Sequence, residues 1–271
     1  MKLHQEWVTF EVAGVDLVGY VCRPRVTEKL PAILVIPEIW STDEHIQDVT
    51  QRFAKSGYLA MALDIYARGG TRPANKSPER IEATKTFLDS LPPSAWMDQN
   101  QKEAALEKYP PKQREEISET LGILFGGLRA TEMAGFLEDL QGAALYLSVH
   151  PHSTGLVGSI GFCMGGALSI QLAAASDRLK AACVFYGMSP GEEIVKNVKC
   201  PVRGFYGGLD KRITDTVPRL AEQMETNDKS FGYTIYEDVP HAFFNDTRAS
   251  YRVQAARDAW AKVLAFFNET L

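Results

Sequence analysis

Short apolar runs alternate with amphipathic segments of helical period along much of this chain. Pro31–Ile36 is rich in branched apolar residues, and the amphipathic stretch Glu44–Ser56 follows it. Gly57 ends that stretch, and Tyr58–Leu63 is a second short apolar run. Strands that are apolar on both faces are typical of a parallel sheet covered by helices on both sides. The pattern therefore predicts an α/β fold with a mostly parallel central sheet and helices on both faces.

The same alternation returns in the second half of the chain. The strands predicted there are Leu156–Gly161, Ala181–Tyr186, Val202–Tyr206 and Phe231–Tyr236. The helices predicted there are Met133–Val149, Ala167–Ala175, Thr214–Thr226 and Arg252–Phe267. Near the start of the chain, the alternating stretches Val8–Val12 and Leu17–Cys22 flank Ala13-Gly14, which predicts an N-terminal β-hairpin.

Residues 71–130 interrupt this alternation. The stretches Ser77–Leu91 and Lys112–Phe125 favour helix, proline pairs separate them, and no clear strand pattern is present. We therefore predict one domain over residues 1–271 with a helical insertion at about 71–130. The apolar residues of the insertion suit three roles: cover for an active site, a dimer contact, or packing against the sheet, which is the most common of the three. They are Phe87, Leu88, Trp96, Leu121, Leu124 and Phe125.

Composition narrows the class of partner. The 271 residues carry a net charge of −5, which offers no basic surface for nucleic acid or for an anionic membrane. No apolar run approaches the roughly 18 residues of a transmembrane helix, and the first residues lack the pattern of a signal peptide. The four cysteines are scattered, with no histidine at zinc spacing. We expect a cytoplasmic protein that acts on a small molecule without a metal or cofactor, as a monomer or homodimer.

One segment carries the chemistry. An apolar strand runs into Gly161-Phe162-Cys163-Met164-Gly165-Gly166, and a helical pattern follows. This is the pattern of a nucleophile elbow with cysteine in place of serine. Small residues two positions before and after the nucleophile let the strand and the helix pack closely. The N-terminal end of a helix carries partial positive charge, which favours the thiolate form of a cysteine placed there. The alternatives are a glycine-rich turn without chemistry or a phosphate loop, but the dinucleotide pattern and the P-loop lysine are both missing.

Two candidate catalytic partners follow the elbow in the chain. Their order, acid first and histidine last, is the order found in hydrolases that have a nucleophile elbow. Asp210 stands in the loop after the strand Val202–Tyr206, where ligand-facing groups belong. It also suits a turn or helix cap, although Asp215 fits that role better. His241 follows the strand Phe231–Tyr236 and precedes the last helix. A lone loop histidine is more often a surface residue, but its place in this order favours a catalytic base.

These residues predict acyl transfer through a covalent intermediate. His241 accepts the thiol proton while Asp210 orients and balances the imidazolium, and Cys163 attacks the carbonyl to give a thioester that water hydrolyses. The oxyanion needs two backbone donors. We expect them to be the N–H of Met164, directly after the nucleophile, and the N–H of Ile39, in the loop after the strand that ends at Ile36.

With these positions assigned, the chain resembles the dienelactone hydrolase family (the carboxymethylenebutenolidases) over almost its whole length outside residues 71–130. The resemblance implies an α/β-hydrolase fold and the hydrolysis of an ester or lactone. The matching segments are Pro37-Glu38-Ile39-Trp40, Asp43-Glu44-His45-Ile46, Leu63-Asp64-Ile65-Tyr66-Ala67-Arg68, Gly161-Phe162-Cys163-Met164-Gly165-Gly166, Tyr206-Gly207-Gly208-Leu209-Asp210 and His241-Ala242-Phe243.

The resemblance implies three further roles. Glu38 matches a glutamate that interacts with the cysteine and helps to switch it between thiol and thiolate; from the residues alone it is a perturbed functional acid or a paired structural one. Arg68 matches an arginine that holds the carboxylate of the substrate, although a solvated loop arginine has the same appearance. Trp40 matches an aromatic residue beside the site, where packing is the usual role of an aromatic.

One departure from the family bears on the substrate. The second carboxylate-binding arginine of the best-known members corresponds to Asn245, which we place at the substrate site by its position, and Arg248 lies three residues further on. We expect an ester or lactone that carries a carboxylate. The alternatives are a carboxylesterase or thioesterase for neutral substrates and a catalytically silent binding protein. A redox role for Cys163 is weaker because no second cysteine is near it in sequence.

Overall fold

A central eight-stranded sheet organises the computed structural model of the protein, which describes residues 2–92, 95–96, 98–126 and 130–271. The strands lie in the order β1-β2-β4-β3-β5-β6-β7-β8. They are β1 (Leu3–Val12), β2 (Val15–Pro24), β3 (Leu30–Ile36), β4 (Leu59–Leu63), β5 (Ser153–Phe162), β6 (Leu179–Phe185), β7 (Val202–Gly207) and β8 (Phe231–Tyr236).

Ten α-helices are present in the described part of the chain. They are α1 (Glu44–Lys55), α2 (Pro78–Asp89), α3 (Gln99–Leu106), α4 (Pro111–Gly126), α5 (Ala130–Val149), α6 (Met164–Ala175), α7 (Glu192–Val195), α8 (Lys211–Thr214), α9 (Val217–Thr226) and α10 (Val253–Thr270). A short 3₁₀ helix spans Ala74–Lys76. None of the described helices has the length and apolar character needed to cross a membrane.

The pairing of the strands confirms the predicted mostly parallel sheet. β1 and β2 form an antiparallel hairpin, β2 pairs antiparallel with β4, and all strands from β4 to β8 in spatial order run parallel. Along β3, Ala32 and Leu34 belong to the hydrophobic cluster on one face, whereas Ile33 and Val35 belong to the cluster on the other. Both faces are buried because helices cover both, which explains why these strands are continuously apolar in sequence.

Two helix predictions differ from the structure. The helix predicted at Thr214–Thr226 is present as α9, but it begins three residues later, at Val217, because a separate short helix, α8, ends at Thr214. Pro218 lies in the first turn of α9, a position that proline tolerates at a helix start but not in a helix interior. The helix after the nucleophile begins at Met164, three residues before the predicted start, so its first turn follows Cys163 directly.

The helices α2, α3 and α4 make up most of the segment 71–130, and no strand occurs among its described residues. Positions 93, 94, 97 and 127–129 lie outside the described residues. Phe87, Leu88 and Leu124 are fully buried in the same hydrophobic cluster as one face of the sheet. These three residues therefore pack within the cluster that covers that face of the sheet.

Candidate active site

The turn around Cys163 is tight and strained. Cys163 has φ 55° and ψ −115°, outside the regions that non-glycine residues normally occupy, between the end of β5 and the start of α6. A Cβ atom on Gly161 would lie 1.8 Å from the carbonyl oxygen of Gly165, and one on Gly165 would lie 2.3 Å from that of Ile36. Only glycine fits at these two positions. The thiol is therefore presented at the carboxyl edge of the sheet, at the N-terminal end of a helix.

His241 and Asp210 meet beside this turn. The Nδ1 atom of His241 lies 2.5 Å from Oδ2 of Asp210. A carboxylate can only accept, so Nδ1 carries the proton and Nε2 is left for the thiol. Asp210 directly precedes α8, but its side chain does not cap that helix and is free to bind the histidine. Asp215, which the sequence favoured as a cap at a helix start, instead ends α8.

The electrostatics of His241 favour its charged form. Burial by itself lowers the pKa of His241, but the charge of the Cys163 thiolate and hydrogen bonds with Asp210 and Cys163 outweigh burial and raise it to about 10. The side chain is 36% exposed. The arrangement therefore favours an imidazolium beside Cys163, and a histidine cation next to a cysteine is what activates a thiol as a nucleophile.

Glu38 lies buried behind this pair. Its Oε1 accepts a hydrogen bond from the hydroxyl of Tyr186 at 3.3 Å, and its Oε2 accepts one from the amide of Asn245 at 3.2 Å. The ring of Tyr186 packs on the ring of His241, with centroids 4.9 Å apart. The structure thus places Glu38 near the three residues that the sequence predicts as the nucleophile, the base and the acid. We call Cys163, His241, Asp210 and Glu38 the Cys163 cluster.

Tyr186 is the residue at this site that sequence reasoning missed. Burial, followed by the negative charges of Glu38 and Cys163, raises the pKa of Tyr186 far above that of a free tyrosine, so the hydroxyl stays protonated and can donate. Its φ of 40° is uncommon for a bulky residue. A polar-tipped aromatic at the carboxyl end of β6, followed by Gly187, was the available signal, since ligand-facing groups collect at that edge.

Asn245 lies inside the protein, next to Glu38. It is fully buried, and its amide nitrogen is used by Glu38 while its oxygen accepts from Thr247. It therefore reaches the Cys163 cluster as a partner of Glu38. The amide is paired and covered in this structure, and a direct contact of Asn245 with the substrate stays a prediction.

The two expected oxyanion donors lie on neighbouring segments. A Cβ atom on Gly165 would lie 2.4 Å from the carbonyl oxygen of Pro37, so the loop that carries Ile39 runs against the first turn of α6. Tyr66 donates to the carbonyl oxygen of Ile39 at 2.8 Å and so orients that loop. Within the described residues, the N–H groups of Ile39 and Met164 donate to no protein acceptor. Both are available to an oxyanion.

The described polar and cation–π contacts of Arg68 and Trp40 are with residues outside the Cys163 cluster. Arg68 forms ion pairs with Asp139 and, at 3.8 Å, with Glu138 of α5, and its side chain is 46% exposed. No described hydrogen bond or ion pair joins it to the Cys163 cluster. Trp40 is buried, and the guanidinium of Arg248 lies over its ring.

Among the residues that the structure describes, no group of three or more His, Cys, Asp or Glu side chains is suited to a metal ion. The cluster is held instead by hydrogen bonds of its own residues and by the turns that carry them.

A mostly parallel sheet with helices on both faces, and with these residues at the carboxyl ends of its strands, defines an α/β-hydrolase. The family model described as "Dienelactone hydrolase family" matches residues 17–271. The chain belongs to the dienelactone hydrolase family, and it is a hydrolase that acts on ester or lactone bonds.

Individual relatives agree with this membership. The chain is 33% identical over 264 residues to a Saccharolobus solfataricus protein named "Putative carboxymethylenebutenolidase". The alignment covers 96% of this chain and 97% of that protein. It is similar to the Klebsiella pneumoniae structure named "Putative Dienelactone Hydrolase", with a TM-score of 0.72, 26% identity and 99% of each chain covered. A dienelactone hydrolase from Anabaena variabilis shares the fold, with a TM-score of 0.65 at 16% identity over the full length of both chains.

Proposed function

We propose that the protein hydrolyses an ester or lactone through a covalent thioester on Cys163, with His241 as acid and base and Asp210 as the group that orients the imidazole. The observation that carries this proposal is the strained turn that presents the Cys163 thiol beside the hydrogen-bonded pair of His241 and Asp210. A nucleophile, a base and an orienting acid at one sheet edge are the set of groups that acyl transfer through a covalent intermediate uses.

The reaction starts from the imidazolium–thiolate pair. The thiolate of Cys163 attacks the carbonyl carbon, and the oxyanion that forms takes hydrogen bonds from the N–H groups of Met164 and Ile39. Collapse of this intermediate breaks the bond to the alcohol oxygen, which takes the proton of His241. A thioester remains on Cys163, and in a lactone the alcohol stays attached to the acyl group.

Deacylation reverses these roles. Neutral His241 takes a proton from water, and the resulting hydroxide attacks the thioester carbon. The second tetrahedral intermediate collapses, the C–S bond breaks, and a carboxylic acid leaves while Cys163 returns to the thiolate beside the imidazolium. Glu38 modulates this pair in our proposal, since a second negative charge close to Cys163 disfavours the thiolate.

For the substrate, we propose that Arg68 contacts a carboxylate on the ester or lactone, because the exposed part of its guanidinium remains open. A second candidate is a neutral ester. The ion pairs of Arg68 with Asp139 and Glu138 favour this second candidate, because a substrate carboxylate would have to compete with two acids that are already in place.

A direct test uses p-nitrophenyl acetate and intact-protein mass spectrometry. An acetyl adduct should appear on Cys163 during turnover, and iodoacetamide at neutral pH should abolish activity with one equivalent bound. The other three thiols should stay unmodified, because burial raises the pKa of Cys22 to about 11, that of Cys200 to about 12, and that of Cys183 well above its usual value. Full activity after stoichiometric labelling of Cys163 would rule out the thioester route.

A further inference from the structure

Arg248 occupies an unusual position next to the Cys163 cluster. Its guanidinium carbon lies 4.7 Å from the ring centroid of Trp96 and 5.5 Å from that of Trp40. The guanidinium also forms an ion pair with Asp89, the last residue of α2. We call these four residues the Arg248 clamp.

The clamp joins three segments that are distant in sequence. Arg248 belongs to the loop after His241, and its backbone N–H donates to the carbonyl oxygen of Asn245, the partner of Glu38, at 3.2 Å. Trp40 follows Ile39 in the loop after β3. The other two members, Asp89 and Trp96, belong to the helical segment 71–130. The contacts of one side chain therefore tie this segment to the two loops that carry the chemistry.

The guanidinium has no surface left for a substrate. Its two flanking indoles and its partner Asp89 leave the side chain only 6% exposed. Arginine suits this position because its plane stacks on aromatic rings while its edge binds a carboxylate, which a lysine cannot do. Arg248 therefore does not replace the arginine that is missing at Asn245.

The clamp also lies close to the reacting groups. Burial and the charges of Glu38 and Cys163 raise the pKa of Tyr186, and Arg248 is near enough to act in the opposite direction. Trp96 packs against the same hydrophobic cluster as Trp40. Arg248 thus joins the segment 71–130 to the loop whose Asn245 binds Glu38.

We propose that Arg248 determines substrate size by fixing the segment 71–130 against the loops after β3 and after His241, so that bulky acyl groups are kept from Cys163. This role rests on the proposed function, and it makes Arg248 a positioning residue that touches no substrate. Small esters pass the clamp, and esters with a large rigid acyl group are selected against.

Access to Cys163 can be measured without turnover. We compare second-order rates of Cys163 alkylation by iodoacetamide and by N-(1-pyrenyl)maleimide, with the modified residue identified by mass spectrometry. Arg248→Met should raise the ratio of the bulky to the small reagent by about tenfold, since loss of a cation–π contact and its ion pair shifts the population by about that factor. The substitution should be tolerated, because Asp89 is 40% exposed and stays solvated without its partner.

Arg80→Met is the matched control. Arg80 binds Glu119 and the carbonyl oxygen of Glu116, so it ties α2 to α4 within the segment and does not reach the Cys163 cluster. Its loss should leave the ratio of alkylation rates unchanged. Should Arg248→Met fail to fold, Arg248→Lys and Asp89→Asn give the same measurement, with smaller increases expected because each keeps part of the clamp.

Turnover gives a second readout. The ratio of kcat/KM for p-nitrophenyl benzoate to that for p-nitrophenyl acetate should rise in Arg248→Met in parallel with the alkylation ratio. An equal change for both reagents, or the same change in Arg80→Met, would overturn the proposal. A loss confined to carboxylate-bearing esters would also overturn it, by making Arg248 a substrate ligand. Failure of the thioester route would show separately, as activity retained by Cys163→Ala, while the alkylation ratio would still report on access.

Discussion

The hydroxyl of Tyr186 donates to Oε1 of Glu38 at 3.3 Å, and the other oxygen of the carboxylate is held by the amide of Asn245. Both donors are neutral and fully buried, and no ion pair among the described residues joins Glu38 to a cation. The ring of Tyr186 packs in turn on His241. The contact therefore connects the carboxylate to the imidazole and makes Glu38 part of the electrostatic surroundings of Cys163.

Removing the charge of Glu38 should change how Cys163 ionises. In Glu38→Gln the side chain keeps its size while the like charge near the thiolate is lost, so the pH profile of Cys163 alkylation should move to lower pH. Tyr186→Phe removes one donor and should disturb both this profile and kcat. The measurement is the rate of iodoacetamide labelling as a function of pH, beside the rate of ester hydrolysis.

Tyr206→Phe provides the control for that experiment. The hydroxyl of Tyr206 is buried and has no hydrogen-bond partner among the described residues, so its removal leaves no partner unpaired and should be nearly neutral. If Glu38→Gln and Tyr186→Phe both behave like Tyr206→Phe in labelling and in turnover, Glu38 is a structural residue only.

Substitution of the nucleophile should abolish hydrolysis. Cys163→Ala is expected to lower turnover by roughly several powers of ten while leaving the fold intact, because alanine has no thiol that could form the thioester. Cys200→Ala, which removes a buried thiol outside the cluster, should keep nearly full activity. Circular dichroism and p-nitrophenyl acetate turnover decide between loss of chemistry and loss of fold. Activity of Cys163→Ala above a few per cent would refute the assignment.

His241 and Asp210 should behave as one unit. Asp210→Asn is expected to cost about two to four powers of ten in kcat, since the imidazole loses the partner that sets its tautomer. The double variant with His241→Ala should be no worse than His241→Ala alone. Asp215→Asn should be silent, because Asp215 is exposed at the end of α8. Loss of activity in Asp215→Asn, with activity retained in Asp210→Asn, would mean that Asp215 and not Asp210 is the acid partner of His241.

The raised pKa of His241 predicts the alkaline side of the pH profile. The pKa lies at about 10 in the folded protein, against about 6.5 for a free histidine. Charged His241 therefore contributes its full share to the free energy of unfolding below about pH 6.5. This contribution declines as the pH rises and is lost above about pH 10. We expect kcat/KM to fall near pH 10, where His241 can no longer protonate the leaving alcohol.

Asp210→Asn should move that alkaline limb. The hydrogen bond and charge of Asp210 both raise the pKa of His241, so their loss lowers it and the limb should shift to lower pH. The free energy of unfolding, compared between wild type and His241→Gln from pH 6 to 10, should show an advantage of wild type that shrinks as the pH rises. If the alkaline limb of the kcat/KM profile stays at the same pH in Asp210→Asn, a group other than His241 is responsible for that limb.

The carboxylate preference proposed for Arg68 is tested with a matched acid and methyl ester. Arg68→Ala should raise KM for the acid by about ten- to a hundredfold and leave the methyl ester nearly unchanged, because a charge-assisted hydrogen bond contributes about 1.5–3 kcal/mol. Asp139→Asn should lower KM for the acid, since it frees Arg68 from its partner in α5. Equal effects of both variants on the two substrates would favour the neutral ester.

Features of the fold that depend on residues close together in the chain could be predicted from the amino-acid sequence. The apolar runs predicted a mostly parallel sheet because strands buried on both faces must be continuously apolar, and the β-hairpin followed from the two alternating stretches near the start. The nucleophile elbow could be recognised from its glycines, because glycine is the only residue type that fits at positions 161 and 165 on either side of Cys163. The family was recognisable from the same short segments. The roles of Cys163, His241 and Asp210 stay predictions until the variants are made.

The tertiary structure alone decided which distant side chains meet. Tyr186 and Glu38 are 148 positions apart and Asn245 and Glu38 are 207 apart, so no local pattern pairs them. The division between α8 and α9 and the pairing of Arg248 with Asp89 likewise depend on how the loops pack. The physical reason is that periodicity and turn chemistry act over a few residues, whereas the strand order brings the loops after β3, β6 and β8 to one edge and thereby chooses each side chain's partner.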